Sequence, residues 1–264
     1  MWVLQNNTPF AAERTWVRDK NGAEVWLVAV KGTFTVNQDG SLRLADEQEE
    51  VNLAPKFRGD PATSSLLYET DLPHIKKNTD VLIEGHAYAP GGKPVKRIDV
   101  AFKIGKIQKR LQVTGDRVWK RSLLGVAPSH PQPFVKIPLI YERSFGGADL
   151  SSKNPKNHDW DLRNPVGCGF DKKASRLIGK PVPNIEYPSS QVGSWKRNSR
   201  AAGFGPIAGH WSPRRELTGT YDENWEKNRQ PLLPEDFDER YYQCAPEDQQ
   251  AKGYLRGGAL NYSI

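Results

Sequence analysis

The most constraining stretch of the chain is Arg14–Val36. Arg14-Thr15-Trp16-Val17-Arg18 is rich in β-formers, Asp19-Lys20-Asn21-Gly22 closes on the Asn-Gly pair of a tight hairpin, and Glu24 to Val36 runs back as a second extended segment. A hairpin this early commits the chain to antiparallel pairing. The first half of the return run, Val25-Trp26-Leu27-Val28-Ala29-Val30, is continuously apolar, which predicts burial on both faces; Lys31, Thr33 and Thr35 then restore alternation.

The same grammar continues. Asn37-Gln38-Asp39-Gly40 is a turn leading to the strand Ser41–Ala45, Ser65–Glu69 and Asp80–Ala89 read as strands, and Val95–Ile104 alternates with Ile98, Val100, Phe102 and Ile104 on one apolar face. Lys109–Trp119 makes one or two more strands around Gly115-Asp116. The 20 prolines and 23 glycines cut the chain too finely for long helices. The expected fold class is mainly β: an antiparallel sandwich or partly open barrel over residues 1–147, about eight strands long. No βαβ alternation or internal repeat is visible.

After Tyr141-Glu142-Arg143-Ser144-Phe145-Gly146-Gly147 the chain changes character. Asn154–Gly169 and Lys180–Gly209 are irregular and rich in Pro, Gly, Asn and Trp, so residues 148–264 are read as a wrapping region packed on the first half as one compact unit. Short helices are expected at Asn224–Gln230, behind a Thr220–Glu223 capping box, at Pro234–Tyr242 behind its acidic first turn, and as one turn from Pro246.

Tests for catalytic templates fail one by one. Glu142 stands where a nucleophile elbow at Ser144 needs glycine. Gly167-Cys168-Gly169 lacks the third glycine of a dinucleotide loop, and Pro206 removes a donor from Gly203-Phe204-Gly205. The five histidines show no paired metal-ligand spacing; His158-Asp159-Trp160-Asp161 is the one cluster of metal-capable side chains and reads as a solvated loop. Cys168 and Cys244 lie far apart and read as ordinary thiols of a reduced compartment. No cofactor or metal is expected.

The net charge of +7 favours acidic partners, but the bases are scattered, with no polybasic run and no nucleic-acid motif, so neither nucleic acid nor membrane insertion is expected. The N-terminus lacks the basic and apolar regions of a secretory signal, which gives a cytoplasmic expectation. Trp195-Lys196-Arg197 and Trp211-Ser212-Pro213-Arg214-Arg215 interleave aromatic and basic residues, a pattern shared by single-strand nucleic-acid platforms, aromatic anchors of protein interfaces and plain packing. Many Trp and acidic residues on a β scaffold leave a carbohydrate-binding or carbohydrate-acting protein as the alternative.

A series of motifs in order along the chain resembles a bacterial domain-of-unknown-function family associated with type VI secretion. It comprises Asn7–Ala11, Val28–Phe34, Thr79–Val81, Gly115–Trp119, Tyr141–Gly147, Asn164–Gly167 and Gly203–Ile207. It closes with Trp211–Arg214, Tyr221–Trp225, Pro234–Asp238 and Tyr254–Gly258. The resemblance implies a non-enzymatic effector adaptor or chaperone that binds a toxin effector and helps load it on the VgrG or PAAR spike. It supplies no catalytic residues to carry over. It also leads one to expect a further acidic and apolar strand after Gly258, where this chain has Ala259–Ile264. The candidate structural or partner-binding positions are Tyr141, Glu142, Arg143, Phe145, Gly146, Gly147, Trp195, Phe204, Trp211, Arg214 and Trp225, with Glu142 and Arg143 expected to be partly buried and paired.

Overall fold

A computed structural model describes residues 3–123, 125–195 and 199–253, and the strand Tyr262–Ser263. The protein is mainly β, as the turn-rich sequence predicts: 33% of it is strand and 12% helical. Its sheets hold two to four strands each, almost all antiparallel, and among the described residues none closes into a barrel. Two compact units emerge, each built from separate pieces of chain: residues 1–56, 68–76 and 216–242 form the first, and residues 57–67, 77–215 and 243–264 the second.

The first unit carries the hairpin read from the sequence. Strand β1 (Ala11–Arg18) pairs antiparallel with β2 (Glu24–Lys31) in a register that sets Trp16 opposite Trp26 and Arg14 opposite Val28. The turn forms because Asp19 is used three ways. Its carbonyl accepts from Gly22 N, its side chain accepts from Asn21 N and Ala23 N, and its own N–H donates to Ala23 O. Gly22 supplies the left-handed φ of 88° that the bulged turn needs. Strands β3 (Phe34–Val36) and β4 (Leu42–Leu44) form a second hairpin.

Elsewhere in this unit the guanidinium of Arg229 donates to Lys20 O and Leu233 O, and Lys31 Nζ donates to Glu50 O at 2.9 Å while facing Asp71 at 3.4 Å. The helix expected after Thr220 spans Glu223–Asn228, but its cap is Asp222, whose carboxylate accepts from Trp225 N at 2.9 Å. Asp222→Ala is therefore expected to cost about 1 kcal/mol, measured as a lowered urea midpoint. The second expected helix does not form. Asp236 bonds Thr220 N and Oγ1, and Asp238 N donates to Leu217 O, so those groups are committed outside a helix and only the 3₁₀ turn Glu239–Tyr242 remains. The third, short turn is present at Glu247–Gln249, in the second unit.

In the second unit, Arg97–Ile104 and Ile107–Thr114 form the longest ladder, with Phe102, Leu111 and Val113 buried in a core that also holds Val81, Ile137, Ile185 and Phe204. Late, irregular segments complete its sheets. Ile185–Glu186 pairs with Gln112–Val113, Pro181–Val182 with Arg117–Val118, and Gln250–Lys252 with Asn78–Asp80. A smaller core gathers Trp119, Phe145, Leu177 and Val182 beside the four-residue helix Ala174–Leu177.

Candidate partner-binding surface

Most of the positions singled out in the sequence lie inside the second unit. Tyr141–Arg143 is a 3₁₀ turn, and Phe145–Gly146 pairs in parallel with Cys168–Gly169. The pivot is Asn164, fully buried, whose side-chain amide Nδ2 donates to Tyr141 O and Phe145 O while its backbone carbonyl accepts from Gly147 N. Gly146 is needed at this approach: at its φ of 151° a Cβ would stand 2.1 Å from Asn164 O. Gly203 is needed likewise, since a Cβ there would meet the Tyr141 ring at 2.6 Å. Tyr141 donates to Gly205 O, and burial raises its pKa so far that it stays a neutral donor. Three of the motifs that carry the resemblance thus interlock.

Glu142 and Arg143 do not pair with each other. The Glu142 carboxylate accepts from Ser65 N and Oγ at 2.7 and 2.8 Å, whereas Arg143 reaches Asp116 and Asn184, each at 3.0 Å. The adjacent carboxylate and guanidinium point to different segments and tie them to the same turn. Ser144 is buried, and its hydroxyl accepts from Ala202 N at 2.6 Å. Cys168 is pushed up to about 12 by burial, so its thiol stays protonated and unreactive.

Phe204 and Trp211 are buried, Trp211 edge-on to Tyr141 at 5.6 Å, and Arg214 is buried with a 2.6 Å bond to Ile207 O. Trp195 packs half-buried against the Trp119 core, while Lys196 and Arg197 lie outside the described residues, as does Tyr254–Gly258. Trp225, half-buried in the first unit, stacks edge-on with Tyr221. Among the described residues no cluster of three His, Cys, Asp or Glu side chains is placed to hold a metal. In the one sequence cluster of metal-capable residues, His158 bonds Ser152 O, Asp159 faces Lys172 and Asp161 faces Arg163. No described helix is long and apolar enough to cross a membrane.

Buried charge in this unit is committed to internal bonds. Arg117 and Glu186 pair at 3.0 Å; burial raises the Glu186 pKa, and Arg117 and Val192 N–H pull it back. Lys109 donates to Gly203 O, Asp248 and Gln249 Oε1 at 2.7, 2.9 and 2.6 Å. Desolvation lowers its pKa to about 8 against the opposing pull of Asp248.

The unusual surface is in the first unit, on the hairpin. Val25–Val30 is not buried on both faces. The strand alternates, leaving Trp26, Val28 (59% exposed) and Val30 (61% exposed) on one side with Trp16 (53% exposed) opposite Trp26. The reason is topological: β1 and β2 form a two-stranded sheet with a single packed face, so among the described residues no second layer covers the other set of apolar side chains. In the separate hairpin β3–β4 all three β3 residues are exposed, Phe34 and Val36 among them, with exposed Leu42 across from Val36. Trp16, Trp26, Val28 and Val30 on one face of a single hairpin exceed what scattered exposure produces and are characteristic of an interaction site. The unbroken apolar run was the only sequence signal for this face, and it reads equally as a doubly buried strand.

A family model described as an uncharacterized protein conserved in bacteria, DUF2169, matches residues 21–260. Neither the curated proteins nor the solved structures contain a match.

Proposed function

We propose that this chain, which belongs to the DUF2169 family conserved in bacteria, is a non-enzymatic cytoplasmic adaptor that binds a secreted toxin effector and helps load it onto a VgrG or PAAR spike of type VI secretion. The observation that carries this reading is the exposed apolar face of Trp16, Trp26, Val28 and Val30. Aromatic residues on a pre-formed strand lose little side-chain freedom on contact and bury large areas, as interface anchors do. The motif series along the chain and the commitment of Ser144, Lys109 and Glu186 to internal hydrogen bonds agree with a binding rather than a catalytic role.

The test is co-expression of the tagged chain with the effector and spike proteins encoded beside it. The wild type is expected to retain the effector through purification. Trp16→Ser with Val28→Asp should lose it while keeping a native circular dichroism spectrum. Failure of the wild type to hold either effector or spike protein would overturn the proposal.

A further inference from the structure

We infer that the outer edge of β1 captures an extended strand of its partner, one that presents a carboxylate, an apolar side chain and a second carboxylate at alternate positions. This rests on the adaptor reading and specifies its mode of contact.

The backbone argument comes from register. Asp19 N donates to Ala23 O, so Asp19 and Ala23 form a hydrogen-bonded pair. Such pairs alternate along an antiparallel ladder. Val17–Val25, Thr15–Leu27 and Glu13–Ala29 are therefore bonded pairs, and Ala12, Arg14, Trp16 and Arg18 turn their N–H and C=O groups away from β2. Among the described residues nothing pairs with that edge, since the sheet has two strands only. Four outward N–H and four outward C=O groups form a ready template for strand addition.

The same four residues project their side chains onto the exposed face, so the edge and the apolar surface meet at Trp16. A strand added antiparallel to β1 places its own alternate side chains directly across from Arg14, Trp16 and Arg18. Arg14 has no carboxylate partner among the described residues, and Arg18 meets Glu24 only at 3.9 Å, both largely exposed. Charged side chains on an open edge normally repel stray strands. Two arginines flanking a tryptophan repel basic and unsuited neutral strands while admitting an acidic one, which is selection by complementarity. A second copy of the chain would instead crowd Arg14 and Arg18 against their own like charges on one short face.

The probe is a fluorescent, end-blocked peptide of pattern Thr-Glu-Thr-Val-Thr-Glu-Thr-Val-Thr, long enough to reach Ala12, titrated with the full chain and read by anisotropy, with Lys replacing Glu in the control peptide. The Glu peptide is expected to bind and the Lys peptide to bind at least about tenfold more weakly, as direct cross-strand charge contacts demand. Arg14→Glu should erase that preference, and Arg14→Glu with Arg18→Glu should reverse it. Ala12→Pro removes one outward N–H without touching the hairpin ladder and should abolish binding with the circular dichroism spectrum unchanged. Equal binding of both peptides, or binding that survives Ala12→Pro, overturns strand capture. So does a wild-type dimer that Ala12→Pro turns into a monomer on sedimentation, since the edge is then filled by a second copy. The two readings fail separately. An effector retained in full by Ala12→Pro removes strand capture and leaves the adaptor role standing, whereas peptide capture without any effector complex removes the adaptor role alone.

Discussion

Trp211→Ala is expected to destabilise the protein by about 3–5 kcal/mol, the range for deleting a large buried aromatic side chain. Trp211 is fully buried and packs with Leu66, Tyr141 and Ala208. Its ring stands at 89° to that of Tyr141, the edge-to-face arrangement that the aromatic quadrupoles favour. Truncation also removes the donor to His210 Nε2, a bond of 3.0 Å to a nitrogen that burial and the Arg214 and Arg215 charges keep unprotonated. A loss of this size is a large part of the usual stability of a domain. Urea denaturation should show a sharply lowered midpoint, and soluble yield should fall. Trp16→Ala supplies the contrast: its cross-strand pairing is worth roughly 0.2–1 kcal/mol, so stability should barely move while partner binding drops. A stable Trp211→Ala variant with lost binding would reverse this assignment and place the interface at Trp211.

Lys109→Met is expected to cost about 2–4 kcal/mol at neutral pH, because it strands a backbone carbonyl, a carboxylate and an amide oxygen that the ammonium now satisfies. Methionine preserves most of the volume and relieves the burial of a charge, which is why the loss stops short of that for a core cavity. The pH dependence has a definite sign. The folded-state pKa of about 8 lies below the ordinary 10.5 of lysine, so between these values the unfolded chain holds a proton that the folded chain has released. Stability contributed by Lys109 therefore rises with pH across that window and is lost as pH falls through about 8. Subtracting Lys109→Met from wild type cancels the other titrations. The difference in unfolding free energy should grow from pH 8 toward pH 10; a difference that shrinks would overturn the assignment of desolvation as the dominant influence.

Local rules made much of the architecture legible. The β1–β2 turn follows from Asp19, Asn21 and Gly22 acting within five residues, and the apolar phase from Ile98 to Ile104 marks a face that the structure buries around Phe102. Asp222 capping is equally local. What stayed hidden depends on distant partners. Pro234–Tyr242 has the composition of a helix start, yet Asp236 is claimed by Thr220. Trp211-Ser212-Pro213-Arg214 looks like a surface anchor until Leu66 and Tyr141, each about seventy or more residues away in the chain, close over the indole. The exposed face of β2 was obscured for the opposite reason. Apolar residues on both sides of a strand report the need for cover, and they cannot say whether the cover comes from this chain or another.

Several of the strand pairings described above join segments that are far apart in the chain. Asn78–Asp80 pairs with Gln250–Lys252, and the Lys109 ammonium is satisfied by Gln249. The second unit therefore has a high contact order, and its loop-closure entropy is spent before those contacts are gained. A ribosome must deliver more than nine-tenths of the 264 residues before these bonds can form. The nascent chain holds an incomplete β-sheet with open edges for that whole interval, and the expected phenotype is slow maturation and dependence on holding chaperones during synthesis.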